Sequence, residues 1–222
     1  MGKLIVFEGT DGSGKSTQFE LLAKRLEAEQ IGFQRLRFPQ YEEPSSALIR
    51  MYLGGAFGDD PEAVNAYAAS TFYAVDRYAS YQRVWTDYYQ GGGLVVSDRY
   101  TTSNAVHQGS KVPEAERAEF FRWLYDLEYD RMGLPRPDLV VLLDMPVELS
   151  EQLMRKREQS TGTHADIHER DEDYLKKCRD VALHAAAYYG WRTVSCAKDG
   201  AIRGVEDIHE EVYAIVKSCL ED

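Results

Sequence analysis

Short β-branched and apolar runs alternate along this chain with longer stretches in which apolar residues recur every three or four positions. Lys3 to Glu8 predicts a first strand, buried on both faces because Leu4 to Phe7 are all apolar. A helix is predicted from about Lys15, with Phe19, Leu22, Ala23 and Leu26 on one stripe, ended by Gly32. Phe33 to Phe38 reads as a second strand, stopped by Pro39. Pro61 opens a long helical stretch to about Gln90, carrying Ala66, Ala69, Phe72, Tyr73, Tyr81 and Trp85, and Gly91-Gly92-Gly93 closes it. Leu94 to Ser97 is a third strand, and a helix follows Pro113 from about Glu114 to Tyr129. Leu139 to Leu143 is a fourth strand, followed by helices at roughly Val147 to Glu158 and Asp171 to Tyr188. Trp191 to Ser195 is a fifth strand, and Val205 to Cys219 is a closing helix.

Strands alternating with helices predict right-handed crossovers and a parallel α/β sheet covered by helices on both faces. No linker or repeat interrupts the pattern, so residues 1–222 read as one domain. Ligands of such sheets bind beyond the carboxyl ends of the strands, which directs attention to the residues after Phe7, Phe38, Ser97 and Leu143.

Composition narrows the partners. A chain that is 44% hydrophobic and 28% charged is neither disordered nor fibrous. A formal net charge of −11 argues against nucleic acid or an anionic membrane surface as partner, though a local cation cluster still suits a small anion. No apolar run approaches the ~20 residues of a membrane span, and Leu4 to Phe7 is too short for a signal-peptide core. Met1-Gly2 opens a myristoylation pattern that fails at Val6. The cysteines Cys178, Cys196 and Cys219 form no CxxC, so a reducing cytoplasm is expected.

The first strand runs into Gly9-Thr10-Asp11-Gly12-Ser13-Gly14-Lys15-Ser16, which fits G-x-x-x-x-G-K-[ST] at every position, with Thr17 next. Glycines at 9, 12 and 14 let backbone N–H groups converge on phosphate oxygens, and the helix starting near Lys15 adds its positive end. Lys15 is placed to reach the β- and γ-phosphates of ATP, and Ser16 to ligate Mg²⁺. The loop does not name the reaction, because it serves switches and kinases alike. A guanine-reading N/T-K-x-D is missing, since Ser195-Cys196-Ala197-Lys198-Asp199 lacks that arrangement.

The third strand ends in Asp98-Arg99-Tyr100. At a strand end of this kind the pair reads as a metal-facing carboxylate and a phosphate-binding guanidinium, whose planar donors match phosphate oxygens. Tyr73 and Arg77 lie one helical turn apart on one face and offer a nucleobase stacking and a donor; core packing for Tyr73 and a solvated face for Arg77 remain open.

The order and spacing of several segments resemble the thymidylate kinase family over nearly the whole chain. They are Gly9 to Ser16, Phe38-Pro39, Tyr73-Ala74-Val75-Asp76-Arg77, Asp98-Arg99-Tyr100 with Ser103, Asn104 and Gln108, and Arg136-Pro137-Asp138 through Asp144-Met145-Pro146-Val147-Glu148. The resemblance implies a phosphate-loop fold with a five-stranded parallel sheet, Mg-ATP as donor, dTMP as acceptor and a homodimer packed through helices. It implies that Asp11 sits near the acceptor's sugar and phosphate, that Arg50 holds the acceptor phosphate, and that Arg99 bridges the two phosphates while Asp98 acts through Mg²⁺ and water. Tyr73 stacks on the base in this reading, Arg77 bonds its carbonyl, Asn104 and Gln108 complete its edge, and Phe38, Ser103 and His107 line the acceptor. His107 stands where the family carries a tyrosine that helps exclude a ribose 2′-hydroxyl, and Gln40-Tyr41-Glu42-Glu43 after strand two carries no arginine.

Arg155 to His164 resembles the family's lid, a segment of about residues 155–170. Its basic helix end and polar loop suit closure over ATP, with Arg155 and Arg157 as the transition-state cations and Arg170 behind them. His164, Asp166, His168 and Glu169 are weak candidates for a metal site. The expected reaction is phosphorylation of dTMP to dTDP. Two alternatives stay open: a kinase for another deoxynucleotide or deoxynucleoside, and a regulatory ATP-binding protein without an acceptor.

Overall fold

The computed structural model describes residues 1–58, 60–161 and 172–221, with side chains at all of these except 61, 155–161 and 172. The strands β1 (Lys3–Glu8), β2 (Phe33–Arg37), β3 (Leu94–Asp98), β4 (Leu139–Asp144) and β5 (Arg192–Ser195) form a five-stranded parallel sheet in the order β2-β3-β1-β4-β5. The expected α/β class and sheet hold. Leu4, Ile5, Val6 and Phe7 of β1 are each 0% exposed, as a strand packed on both faces requires. The outer strands read differently: β2 carries Gln34, Arg35 and Arg37, and β5 buries only Val194, which suits an edge open to water.

The helices are α1 (Lys15–Ala28), α2 (Ala47–Leu53), α3 (Ala66–Ser80), α4 (Thr86–Gln90), α5 (Thr101–His107), α6 (Arg117–Tyr125), α7 (Val147–Thr161), α8 (Glu172–Tyr189) and α9 (Val205–Glu221). The chain divides into two compact units, residues 1–6 with 33–137 and residues 7–32 with 138–222.

In the first unit, β2 and β3 pair from Phe33 opposite Leu94 to Arg37 opposite Asp98. The helix expected from Pro61 to Gln90 is broken. Asn65 caps α3 by accepting from the Ala68 N–H at 2.9 Å, and a π turn over Tyr81–Trp85 separates α3 from α4. There the Thr86 hydroxyl donates to the Tyr81 carbonyl at 2.6 Å, and Trp85 is fully buried against Tyr81, Tyr89 and Tyr100. The helix expected from Glu114 to Tyr129 likewise gives way after α6 to a π turn over Asp126–Arg131, which carries Glu128 and Tyr129 inward side by side. The sequence reading did not anticipate α2 or α5. Helix α5 is built from poor helix formers, Thr101, Thr102, Ser103 and Asn104, and burial of its inner side holds it.

In the second unit, β4 pairs with β5 from Val141 opposite Arg192 to Asp144 opposite Ser195. Arg179 of α8 donates to both carboxylate oxygens of Asp144 at 2.7 and 3.1 Å, and that bond raises the already high guanidinium pKa. A short hairpin of β6 (Ala197–Lys198) and β7 (Ala201–Ile202) follows β5. Asp199 and Gly200 both take positive φ at its tip (52° and 77°), the geometry an Asp-Gly turn favours.

Candidate active site

The end of β1 delivers the chain into the loop of Gly9 to Ser16, which lies in the second unit, and α1 starts at its end. Sterics explain the first two glycines. A Cβ on Gly9 would lie 2.6 Å from Ser13 Oγ, and one on Gly12 would lie 2.8 Å from the Ser150 carbonyl oxygen. Gly14 is fixed by conformation instead, with φ of 84° and nothing within 4 Å of where its Cβ would stand. It occupies the N-cap of α1, no side chain caps the helix, and no acid stands in its first turn. The orphan N–H groups and positive dipole end are thereby left to a ligand anion. Thr10 to Thr17, with Leu153 and Met154 of α7, line a cavity of about 330 Å³. Ser13 Oγ is buried there without a hydrogen-bond partner. Lys15 is nearly buried, whereas Ser16 and Thr17 are exposed. The Gly9 N–H donates to the buried Glu8 carboxylate at 3.1 Å.

In the first unit, β3 ends at Asp98, whose carboxylate accepts from Arg37 Nε at 3.1 Å. Arg99 follows with φ of 68°, the left-handed region that a side chain rarely adopts. Its carbonyl accepts from the Ser97 hydroxyl at 2.6 Å. Its Nη1 lies 3.3 Å from Ser103 Oγ and 2.8 Å from His107 Nε2. Ser103 and His107 are one turn apart on α5 and are its two partly exposed positions, so the guanidinium lies along the helix's open side. A bond from Arg99 to His107 Nε2 requires the neutral ring with that nitrogen accepting.

Behind the open side lies a buried polar network. Arg77 is only 2% exposed, which removes the solvated reading of this residue. Its Nε donates to Glu128 Oε2 at 2.6 Å and its Nη2 to Oε1 at 2.5 Å. Burial works against the guanidinium charge, but the Glu128 carboxylate outweighs it and raises the pKa. Thr101 Oγ1 donates to Glu128 Oε2 at 2.7 Å; Asn104 Nδ2 donates to Oε1 at 3.3 Å and to the Ser70 carbonyl at 3.1 Å. Ser70 Oγ and Gln108 Oε1 are buried without a hydrogen-bond partner. Tyr73 is half-buried beside the cluster of Tyr52, Val64 and Ala69, and burial pushes its phenol pKa well up. Phe38 packs on Tyr100 with ring centroids 5.9 Å apart.

The structure therefore brings Arg99, Ser103 and His107 into one group, and Arg77 and Asn104 into another. Arg50 bonds to neither group: its Nη1 donates to the carbonyls of Tyr41 and Glu43 at 2.6 and 3.1 Å and contacts Ser46 Oγ, holding the turn after β2. Asp76, in the Tyr73–Arg77 segment, accepts from the Gln40 N–H at 2.8 Å and the Ser45 hydroxyl at 2.7 Å and anchors the same turn. Arg155 and Arg157 lie on α7 with side chains outside the description. Arg170, His164, Asp166, His168 and Glu169 lie outside the described residues. Glu128 and Asp76 were missed by sequence reasoning. Asp76 stood inside a segment already singled out, but Glu128 had no local signal, because its partners Arg77, Thr101 and Asn104 are 51, 27 and 24 positions away.

Known proteins match this chain over most of its length. Residues 7–212 match the family model described as thymidylate kinase. A thymidylate kinase of Mycobacterium tuberculosis is 34% identical over 190 residues, covering 85% of this chain and 87% of that one. A probable thymidylate kinase of Thermococcus gammatolerans is 31% identical over 221 residues, covering 98% and 97%. The solved structure of a Candida albicans thymidylate kinase shares the fold, with a TM-score of 0.72 over 98% of this chain and 92% of that one at 21% identity. With the phosphate loop, the Asp98-Arg99 strand end and the Tyr73–Arg77 helix face all inside the matched region, the chain belongs to the thymidylate kinase family.

Proposed function

We propose that this protein transfers the γ-phosphoryl group of ATP to the phosphate of dTMP, giving ADP and dTDP. The observation that carries the reading is the family match over residues 7–212, which takes in both the phosphate loop and the second polar group. A regulatory ATP-binding protein has no use for the second group.

The roles are those the family resemblance implies, and the chemistry of each side chain suits them. The loop amides, the α1 N-terminus and Lys15 bind the donor phosphates, with Asp11 toward the acceptor. Tyr73 stacks on the base; Arg77, Asn104 and Gln108 read its edge; Phe38, Ser103 and His107 line the acceptor; Arg50 and Arg99 bind its phosphate. In the transfer the bond from the γ-phosphorus to the β-bridging oxygen breaks, and one forms to an acceptor phosphate oxygen. That oxygen is already anionic, so no general base is required; catalysis is positioning plus neutralisation of charge by Lys15, Arg99 and the lid residues Arg155 and Arg157. Ser16 and Asp98 offer the hard oxygen donors that suit Mg²⁺, Asp98 through water, and the ion when bound neutralises phosphate charge.

A panel of dTMP, dUMP, dGMP, dCMP, UMP and thymidine, scored by ADP release, is expected to show dTMP with the highest kcat/KM. Equal turnover of all six, or ATP hydrolysis indifferent to them, removes the reading. The same reading places the protein in the cytoplasm; among the described residues no helix is long and apolar enough to cross a membrane.

The assembly that fits is a homodimer through helices. Val75 and Tyr78 of α3, Val84 of the π turn and Tyr88 of α4 are 39–52% exposed, apolar surface that a second copy would cover. Light scattering is expected to read twice the chain mass, and Val84→Glu to return it to the single mass; a monomeric parent refutes the dimer.

A further inference from the structure

The Glu128 network fixes more than the position of Arg77. The carboxylate accepts from four donors: Arg77 Nε, Arg77 Nη2, Thr101 Oγ1 and Asn104 Nδ2. Two consequences follow from covalent geometry. With Nε and Nη2 occupied on one side of the planar guanidinium, Nη1 is the donor turned away from Glu128. With Nδ2 held by two acceptors, Glu128 Oε1 and the Ser70 carbonyl, the Asn104 amide has one sensible orientation, and Oδ1 is the atom turned away. A donor on Arg77 and an acceptor on Asn104 are therefore set by one buried anion. The unpartnered Ser70 Oγ and Gln108 Oε1 accompany them, polar atoms that the protein itself leaves unsatisfied.

We infer that Glu128 is the positioning residue that sets the donor–acceptor polarity of the base-reading edge, so that the site accepts a base with a ring N–H beside a carbonyl and rejects one with a bare ring nitrogen beside an amino group. This rests on the acceptor reading proposed above. Asn104 Oδ1 accepts the ring N–H, and Arg77 Nη1 donates to the neighbouring carbonyl. A cytosine edge presents the opposite pattern and leaves a donor facing a donor and an acceptor facing an acceptor, which costs far more than a missing bond. Glu128 acts through Arg77 and Asn104 and need not touch the substrate.

Glutamine at 128 keeps the shape and adds an NH₂. In the place of Oε2, that NH₂ opposes Arg77 Nε and releases the guanidinium fork. In the place of Oε1, it opposes both Arg77 Nη2 and Asn104 Nδ2 and also favours the flipped amide. Either outcome damages the same discrimination. The assay compares kcat/KM for dTMP and 5-methyl-dCMP, which differ only at the ring nitrogen and its exocyclic neighbour. The parent is expected to prefer dTMP at least a hundredfold. Glu128→Gln is expected to lower that ratio at least tenfold, chiefly through KM for the monophosphate, with KM for ATP unchanged. A merely structural role would lower both substrates together and leave the ratio alone. A folded Glu128→Gln protein with the parent's ratio overturns the inference and leaves the acceptor reading standing. A parent that phosphorylates neither substrate overturns both. If Glu128→Gln does not fold, Asn104→Ala removes the oriented acceptor with the Arg77–Glu128 pair intact; it must bring the same tenfold fall, and an unchanged ratio there overturns the inference.

Discussion

Lys15→Ala is expected to lower kcat for dTMP phosphorylation at least a hundredfold while the melting temperature stays close to the parent's. Lys15 is the first residue of α1, and alanine there is a better helix former, so the helix itself loses nothing. What is lost is the one side-chain cation of Gly9 to Ser16, in a cavity whose other positive features are backbone amides and a helix end without an acid in its first turn. Those amides persist in the variant and continue to bind the donor's phosphates, so KM for ATP should rise less than kcat falls. The transferring group spreads charge over oxygens that the amides and the remaining cations neutralise less fully, and a hundredfold corresponds to about 2.7 kcal/mol of transition-state stabilisation, the order seen when one preorganised donor or cation is removed. Steady-state kinetics with both substrates saturating, beside a thermal melt, separates the two effects. Turnover within tenfold of the parent would mean that the ammonium does not stabilise the transferring phosphoryl group.

Legibility of the site in the sequence follows the range of the interactions. The phosphate loop is legible because eight consecutive residues carry the whole signal: Gly9 answers to Ser13 Oγ nearby in the chain and Gly14 to its own φ, and only Gly12 answers to a distant neighbour, Ser150. The central strands were legible because burial on both faces writes unbroken apolar runs, as in Leu4 to Phe7 and Leu139 to Leu143. Helix α5 was not, because Thr, Thr, Ser and Asn have weak helix propensity and the fold, rather than the segment, makes them helical. The long helices were read through their π turns, since a wider turn at Tyr81–Trp85 or Asp126–Arg131 leaves the apolar spacing almost intact. Glu128 was invisible for a related reason. A glutamate late in a helical pattern looks like a solvated charge until tertiary structure sets Arg77 against it. The Asp199-Gly200 hairpin had a local signal that the helix–strand alternation overshadowed. Arg50 shows the converse: the resemblance supplied a phosphate-binding role, whereas the structure records a guanidinium holding the carbonyls of Tyr41 and Glu43. Both describe one residue if the turn it holds is part of the acceptor's binding surface.

Arg99→Gly is expected to separate stability from activity. A left-handed backbone at a residue with a side chain costs about 1–3 kcal/mol and persists only where the surroundings over-determine it. At Arg99 they do: the Ser97 hydroxyl grips its carbonyl, and Ser103 and His107 hold its guanidinium. Glycine at φ of 68° relieves that strain, and its greater freedom in the unfolded chain offsets part of the gain, about 0.4–1 kcal/mol. The melting temperature should therefore stay within a few degrees of the parent's or rise. Activity should move the other way, with kcat falling a hundredfold or more, because glycine supplies no charge to the two phosphates between which the new bond forms. Most sequences place glycine or asparagine at a left-handed position when stability is the only demand, so an arginine held there by contacts to Ser97, Ser103 and His107 is best understood as a functional choice. Arg99→Lys makes the requirement sharper. It restores the charge but not the planar fork, and it keeps the backbone strain, so it should recover only part of the lost turnover without the stability of the glycine variant. A glycine variant that melts far below the parent would make Arg99 a structural residue, and one that turns over dTMP within tenfold of the parent would remove it from catalysis.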